Sequence, residues 1–119
     1  MIRTVLVIDD AQTDRANLEK ILSDAQYVVS SSTSGALGVE KARQDKPDAI
    51  FMDVNMPDMD GFAAVRALRN DAATKDIPVI FVTAKDQKAD KAWGQMLGAK
   101  GYITKPYSKE QILDQLRTL

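Results

Sequence analysis

Three aspartates stand directly after two short apolar runs of the sequence. Asp9 and Asp10 follow Val5–Ile8, and Asp53 follows Ala49–Met52. Carboxylate oxygens suit Mg²⁺, which takes few protein ligands and keeps positions open for water and phosphate oxygens. A carboxylate can also act as a nucleophile that carries a phosphoryl group. The three side chains therefore predict a Mg²⁺ site, with Mn²⁺ as an alternative metal and Asp53 as the candidate nucleophile.

Two further strand ends add a hydroxyl, a backbone N–H and an ammonium group. Thr83 and Ala84 follow the apolar run 79–82, and Lys105 follows the run 101–103. The hydroxyl and the N–H can donate to phosphoryl oxygens, while the ammonium neutralises their charge. A single acidic residue after a strand is more often a solvated residue or a helix cap. The prediction depends on all these groups meeting at the edge where α/β sheets bind ligands.

Strands and helices are predicted to alternate along the chain. Strands are expected at 5–8, 27–29, 49–52, 79–82 and 101–103, and helices at about 13–25, 34–45, 61–70, 87–97 and 108–118. Continuous apolar runs are typical of parallel strands that are buried on both faces. The pattern predicts one α/β domain over residues 1–119, with a parallel sheet, right-handed crossovers and helices on both faces. Asp60 is expected to cap the third helix, and Ser108 with Gln111 to form a capping box on the fifth.

The composition argues against several classes of function. The chain has 119 residues, no cysteine and no histidine, with 16 basic and 17 acidic residues. The usual zinc ligands, thiol nucleophiles and imidazole bases are therefore absent, and a metal must be bound by oxygen. The balanced charge gives no support for nucleic-acid binding, and no stretch approaches the ~20 apolar residues of a membrane span. We expect a cytoplasmic monomer with no nucleic-acid partner and no membrane insertion.

The sequence resembles the CheY-like receiver domains of response regulators over its whole length. The similarity begins at Val5–Asp10, centres on Met52–Gly61 (MDVNMPDMDG), and continues through Pro78–Ala84 and Lys105-Pro106. As a joint pattern these motifs are highly specific. The resemblance implies a single-domain, doubly wound (βα)₅ fold of the flavodoxin-like type, with five parallel strands in the order 2-1-3-4-5.

The resemblance also implies roles for the residues at the strand ends. A partner histidine kinase would donate a phosphoryl group to Asp53, and Asp9, Asp10 and Asp53 would hold Mg²⁺ together with the main-chain carbonyl of Asn55. The protein would catalyse only its own phosphorylation and slow dephosphorylation, so no enzyme with a separate substrate is expected. The absence of histidine fits a receiver that cannot also be the donor.

A conformational switch is a further implication of the resemblance. Thr83, Ala84 and Lys105 would contact phosphoryl oxygens, and Thr83 would move toward them while Tyr102 turns from exposed to buried. The face made by the fourth helix, the fifth strand and the fifth helix would then change its contacts with a protein target. Without the family pattern, Tyr102 would equally be a partly buried aromatic residue on an edge strand. The Lys105–Pro106 bond is expected to be cis.

A narrower resemblance concerns the pathway. Within the family, the sequence looks closest to stand-alone regulators of chemosensory systems that control type IV pili and twitching motility. The residues behind this are Lys85–Gln87, Asp90–Gly94 and Tyr102–Pro106. Two interpretations of Trp93 remain open. The residue covers the core with one edge of its ring, or it anchors a partner protein. Gly94 after it costs roughly 1 kcal/mol in a helix, which indicates a packing reason or simple tolerance.

Two other functions compete with the phosphorylation-controlled binding module. One is a phosphatase with an aspartyl nucleophile and Mg²⁺, which needs a general acid two residues after the nucleophile and a cap domain. Position 55 is asparagine, which cannot act as an acid, and 119 residues leave no room for a cap. The other is a receiver that drains phosphoryl groups from a shared kinase and binds no output target.

Overall fold

The computed structural model describes residues 1–119, which form five strands and five helices. The strands are β1 (Thr4–Ile8), β2 (Val28–Ser32), β3 (Ala49–Met52), β4 (Val79–Thr83) and β5 (Gly101–Thr104). The helices are α1 (Gln12–Asp24), α2 (Gly35–Asp45), α3 (Gly61–Arg69), α4 (Lys88–Met96) and α5 (Lys109–Arg117). Each helix begins and ends within one residue of its predicted bounds. None of the helices has the length and apolar character needed to cross a membrane.

The five strands form one parallel sheet in the order β2-β1-β3-β4-β5, as predicted. β1 and β3 are neighbours in the middle of the sheet, with Ile8 paired to Met52 at their last positions. The carboxyl ends of parallel strands lie at one edge, so the residues after Ile8 and Met52 emerge side by side. This pairing positions the candidate functional site.

The sheet buries apolar side chains on both faces. Leu6, Ile8 and Phe81 belong to the core on one face, and Val5 and Phe51 belong to the core on the other. Every residue of β3 and β4 is buried, so neither strand alternates between apolar residues on a buried face and polar residues on an exposed face. The unbroken apolar runs of these strands follow from this burial on both faces.

The predicted helix caps are present. Asp60 accepts a hydrogen bond from the Ala63 N–H at 2.8 Å at the start of α3. At the start of α5, Ser108 Oγ accepts from the Gln111 N–H at 3.3 Å, and Gln111 Oε1 accepts from the Ser108 N–H at 2.8 Å. Both caps therefore satisfy backbone donors that a helix N-terminus leaves unpaired.

The predicted bounds of the second strand, 27–29, are wrong. The strand is Val28–Ser32, because β1 supplies a complete ladder partner from Thr4↔Val28 to Ile8↔Ser32. Tyr27 lies outside the strand, and its N–H donates to the Leu22 carbonyl of α1 at 3.1 Å. Three consecutive serines carry no apolar pattern, so here the strand is set by its neighbour and not by its own sequence.

Candidate functional site

Asp9, Asp10 and Asp53 converge at the carboxyl edge of the sheet. One carboxylate oxygen from each lies within 4.8 Å of the others. Asp9 directly follows β1 and Asp53 directly follows β3, and their exposed fractions are only 4% and 9%, whereas Asp10 is exposed. The structure therefore brings together the three carboxylates that the sequence singled out.

Local backbone hydrogen bonds fix the two buried carboxylates. Asp9 Oδ1 accepts from the Ala11 N–H at 2.9 Å, and Asp53 Oδ1 accepts from the Asn55 N–H at 3.2 Å. Gly61, the first residue of α3, lies close behind Asp53. A Cβ atom on Gly61 would be 2.5 Å from the Asp53 carbonyl oxygen. Only glycine lets the start of α3 approach the phosphoacceptor candidate this closely.

Lys105 places its ammonium group among the carboxylates. Its Nζ atom lies 3.0 Å from Asp9 Oδ2, 2.9 Å from Asp14 Oδ2 and 3.0 Å from Asp53 Oδ2. The three N–H donors of the ammonium thus have three carboxylate partners. The peptide bond between Lys105 and Pro106 is cis, as predicted.

The electrostatics of the site are dominated by burial and by an excess of negative charge. Burial raises the pKa of Asp9 and repulsion from Asp53 adds to this, although the Ala11 N–H and Lys105 act in the opposite direction. Burial alone would lower the pKa of Lys105, but hydrogen bonds with Asp14, Asp9 and Asp53 outweigh it and raise that pKa. Lys105 therefore stays charged, and one ammonium faces several carboxylates.

The donor set fits a hard divalent cation. Three carboxylate oxygens within 4.8 Å of one another, with no nitrogen or sulfur among them, match the preference of Mg²⁺ for oxygen ligands. Asn55 lies on the loop directly after Asp53, to which its N–H is bonded. The role of its main-chain carbonyl as a further ligand stays a prediction.

Thr83 and Ala84 lie at the same edge of the sheet, at the end of β4 beside β3. Thr83 is fully buried, and its hydroxyl oxygen accepts a hydrogen bond from the Lys85 N–H at 3.3 Å. Ala84 is exposed. The placement agrees with the predicted strand ends, while contacts of Thr83 and Ala84 with phosphoryl oxygens stay predictions.

Tyr102 connects β5 to the loop after β4. Its hydroxyl donates to the Lys85 carbonyl at 2.8 Å, and its ring centroid lies 5.8 Å from that of Phe81. Burial, followed by the charges of Asp90, Asp53 and Asp86, raises the pKa of Tyr102 to about 12. Tyr102 is thus a partly buried aromatic residue on an edge strand. Its movement as a switch stays a prediction.

Trp93 and Gly94 point to different surroundings on α4. Trp93 is 40% exposed, and the Arg66 guanidinium carbon lies 5.9 Å from its ring centroid. Gly94 is buried, and a Cβ atom there would lie 3.2 Å from the Phe81 ring and 3.3 Å from the Tyr102 ring. The glycine therefore has a packing reason, whereas Trp93 lies at the surface and its two interpretations stay predictions.

Two aspartates with defined contacts were missed from the sequence. Asp14 lies in the first turn of α1, and its carboxylate accepts a hydrogen bond from Lys105 Nζ at 2.9 Å. Asp58 accepts from the N–H groups of Gly35 at 3.2 Å and Ala36 at 2.9 Å, and these bonds hold its pKa below the ordinary value. The loop after β3 is therefore tied to the start of α2.

Comparison with known proteins identifies the family to which the chain belongs. The model of the response regulator receiver domain matches residues 5–117, so the chain belongs to this family. It is 43% identical over 115 residues to Protein PilH of Pseudomonas aeruginosa, covering 97% of this chain and 95% of PilH. It is 37% identical over 115 residues to Response regulator PleD of Caulobacter vibrioides, covering 97% of this chain but 25% of PleD.

Solved structures give the same assignment. The chemotaxis protein CheY4 of Vibrio cholerae matches with a TM-score of 0.92 and 33% identity, covering 99% of this chain and 98% of that one. The receiver domain of sensor histidine kinase PA1611 of Pseudomonas aeruginosa matches with a TM-score of 0.90 and 25% identity, covering 99% and 97% of the two chains. That structure carries a magnesium ion coordinated in its active-site cleft. The protein is therefore a receiver domain of response-regulator signalling.

Proposed function

We propose that residues 1–119 form a single-domain response regulator that accepts a phosphoryl group on Asp53 from a histidine kinase. The observation that carries this proposal is the convergence of Asp9, Asp10 and Asp53 in one carboxylate cluster, with the Lys105 ammonium 3.0 Å from Asp53 Oδ2. Three oxygen ligands and one fixed cation at the edge of a parallel sheet suit phosphoryl transfer to a carboxylate.

The transfer forms one bond and breaks one. An Asp53 carboxylate oxygen attacks the phosphorus of a phosphohistidine, the new O–P bond forms, and the N–P bond breaks with its electron pair left on the imidazole nitrogen. Lys105 neutralises charge on the phosphoryl oxygens, and the Thr83 hydroxyl and the Ala84 N–H donate to them. Asp9, Asp10, Asp53 and the Asn55 carbonyl would hold Mg²⁺, or Mn²⁺ in its place, which would neutralise further oxygen charge.

The output of phosphorylation is a change in protein contacts through the surface of α4, β5 and α5. Thr83 accepts a hydrogen bond from the Lys85 N–H, and the Lys85 carbonyl accepts one from the Tyr102 hydroxyl. A single loop residue thus links the buried hydroxyl at the site with the aromatic ring on β5. A shift of Thr83 toward a phosphoryl group removes one of these bonds, which favours a second position of Tyr102.

The pathway is proposed from similarity. The motifs shared with chemosensory regulators of type IV pili, together with the similarity to PilH, support a role in twitching motility. The protein would act in the cytoplasm as a monomer, with a histidine kinase as donor, a protein as output target and no nucleic-acid partner. A receiver that only drains phosphoryl groups shares the chemistry but lacks that target.

The deciding experiment follows incorporation of phosphate from acetyl phosphate with Mg²⁺. Wild type is expected to gain one acid-stable, base-labile phosphoryl group, and Asp53→Ala to gain none. Asp24→Ala, which removes an exposed carboxylate at the end of α1, is the control and should label like wild type. Labelling that persists in Asp53→Ala would exclude Asp53 as the acceptor.

The competing functions give different results in companion assays. A phosphatase releases phosphate repeatedly from small organophosphates, whereas a receiver is labelled once and loses the label slowly. Transfer from each histidine kinase of the source organism identifies the donor. Pull-down with phosphorylated wild type and with Asp53→Ala then separates a switch from a phosphoryl drain, because only the switch has a partner that depends on phosphorylation.

A further inference from the structure

Asp14 differs from the other two carboxylates that hold the Lys105 ammonium. Asp9 and Asp53 belong to the converged oxygen cluster and are nearly buried, with side-chain exposures of 6% and 11%. Asp14 comes from the first turn of α1, lies outside that cluster, and has a side-chain exposure of 46%. Its bond to Lys105 Nζ is nevertheless as short as the others, at 2.9 Å.

The bond uses up the donor capacity of Lys105. An ammonium has three N–H donors, and Asp9, Asp14 and Asp53 occupy all of them. A phosphoryl oxygen can bond Lys105 only by replacing one of these acceptors. The metal proposed for this site would offset charge on the cluster to which Asp9 and Asp53 belong, but Asp14 is not a member of that cluster.

We propose that Asp14 is a positioning residue that draws the Lys105 ammonium toward α1 and weakens the hold of the site on a phosphoryl group. This inference rests on the proposed function, because it concerns the same site and the same anion. The sign follows from charge alone: a carboxylate beside the cation that must meet a phosphoryl dianion repels that dianion. Asp14 therefore limits occupancy of the phosphorylated state without touching the reacting atoms.

The test measures binding of BeF₃⁻, a non-covalent phosphoryl analogue, by calorimetry at saturating Mg²⁺. Asp14→Asn keeps an acceptor oxygen for Lys105 but removes the charge, so it should bind BeF₃⁻ about threefold more tightly than wild type, within the range of partly exposed charge interactions. Asp14→Glu retains the negative charge, so its affinity for BeF₃⁻ should equal that of wild type. Rate constants for labelling by acetyl phosphate should follow the same order.

A matched control exists on the same helix. Asp24 bonds Lys20 Nζ at 2.9 Å, the same length as the bond between Asp14 and Lys105 Nζ, but Asp24 lies at the other end of α1. Asp24→Asn changes the net charge equally and should leave BeF₃⁻ affinity unchanged. At about 1 M salt, where the screening length is about 3 Å, the gain of Asp14→Asn should shrink toward onefold. A purely structural effect would not depend on salt in this way.

The outcomes separate the inference from the proposed function. If wild type neither binds BeF₃⁻ nor is labelled, the proposed function fails. If wild type does both, and Asp14→Asn binds no more tightly than Asp24→Asn, the role of Asp14 is refuted while the proposed function stands. Equal tightening by Asp14→Glu would also refute it, because shape and not charge would then be the cause.

Discussion

The two ends of the central sheet use aspartate in opposite ways. At the amino end, Asp48 Oδ2 accepts hydrogen bonds from the N–H groups of Arg3 at 2.9 Å and Thr4 at 3.0 Å. At the carboxyl end, Asp9 and Asp53 lie beside each other and share one ammonium group. Backbone donors hold the pKa of Asp48 below its ordinary value, whereas burial raises the pKa of Asp9.

The difference shows which carboxylate stabilises the fold and which one costs stability. Asp48 ties the start of β1 to the loop before β3, and its charge is favourable where it lies. Two carboxylates about 5 Å apart repel by roughly 3 kcal/mol at an effective dielectric near 20, before lysine and solvent reduce this. This repulsion therefore costs free energy in the metal-free fold at the carboxyl end, where the Ala11 N–H lowers the pKa of Asp9 less than burial raises it.

The largest expected effect is stabilisation by metal. Because Mg²⁺ would bind the folded arrangement and not the unfolded chain, wild type should gain about 2.7 kcal/mol at a hundredfold excess over the dissociation constant. Asp53→Asn, which lacks one cluster charge, should gain clearly less. Urea unfolding with Mg²⁺ and with EDTA, at matched ionic strength, measures both. An equal gain in the two proteins would mean that Asp53 does not contribute to a shared metal site.

The next effect concerns the glycine behind the phosphoacceptor candidate. Gly61→Ala would place a Cβ atom 2.5 Å from the Asp53 carbonyl oxygen and 2.9 Å from Val54 Cα, so the backbone must shift. Overpacking of this kind should lower the free energy of unfolding by about 2 kcal/mol and slow labelling of Asp53. Ala63→Gly on the same helix is the control, since it loses stability without moving Asp53. Normal labelling of Gly61→Ala would show that the close approach is not needed for the site.

The sequence predicted elements where burial sets the residue type. β3 and β4 are buried on both faces, so their apolar runs are continuous and their ends are marked by Asp53 and Thr83. β2 is an edge strand whose serines pair with β1, so its extent depends on a neighbour that local sequence does not describe. The strand order itself came from family resemblance, since five β–α repeats allow more than one order.

The candidate site was predictable to the extent that it lies at strand ends. Asp9, Asp53 and Lys105 directly follow strands, Asp10 comes one residue later, and the sheet brings these residues to one edge. Asp14 was missed because its pairing with Lys105 joins residues 91 positions apart and depends on where the first turn of α1 lies relative to the residue that follows β5. A contact between side chains on two distant elements can be predicted only when the tertiary arrangement of those elements is known.

A smaller effect is expected for Asp53→Asn without metal, and it is a gain in stability. Asp53→Asn removes one charge from the cluster at nearly constant shape, so in EDTA it should raise the free energy of unfolding by about 1 kcal/mol, although most substitutions destabilise. Lys105 keeps Asp9 and Asp14 as partners in this variant. Urea unfolding in EDTA is the measurement. A loss of stability would mean that attraction to Lys105 outweighs repulsion among the carboxylates.

The smallest effect lies at the other end of the sheet and has the opposite sign. Asp48→Asn keeps an acceptor oxygen for Arg3 and Thr4 but removes the charge, so it should lower the free energy of unfolding at pH 7 by about 0.5 kcal/mol at this partly exposed position.

The pH dependence of this difference tests its cause. Because the folded pKa of Asp48 lies below its unfolded value of about 3.9, the stabilisation is complete well above that value and is lost as the pH falls through the folded pKa. Asparagine does not titrate, so the difference in stability between wild type and Asp48→Asn should begin to shrink at about pH 4 and go on shrinking as the pH falls through the folded pKa of Asp48. Urea midpoints at a series of pH values follow the two curves. A gap that stays constant down to acid pH would assign the effect to packing, and the contrast between the two ends of the sheet would then not be one of charge.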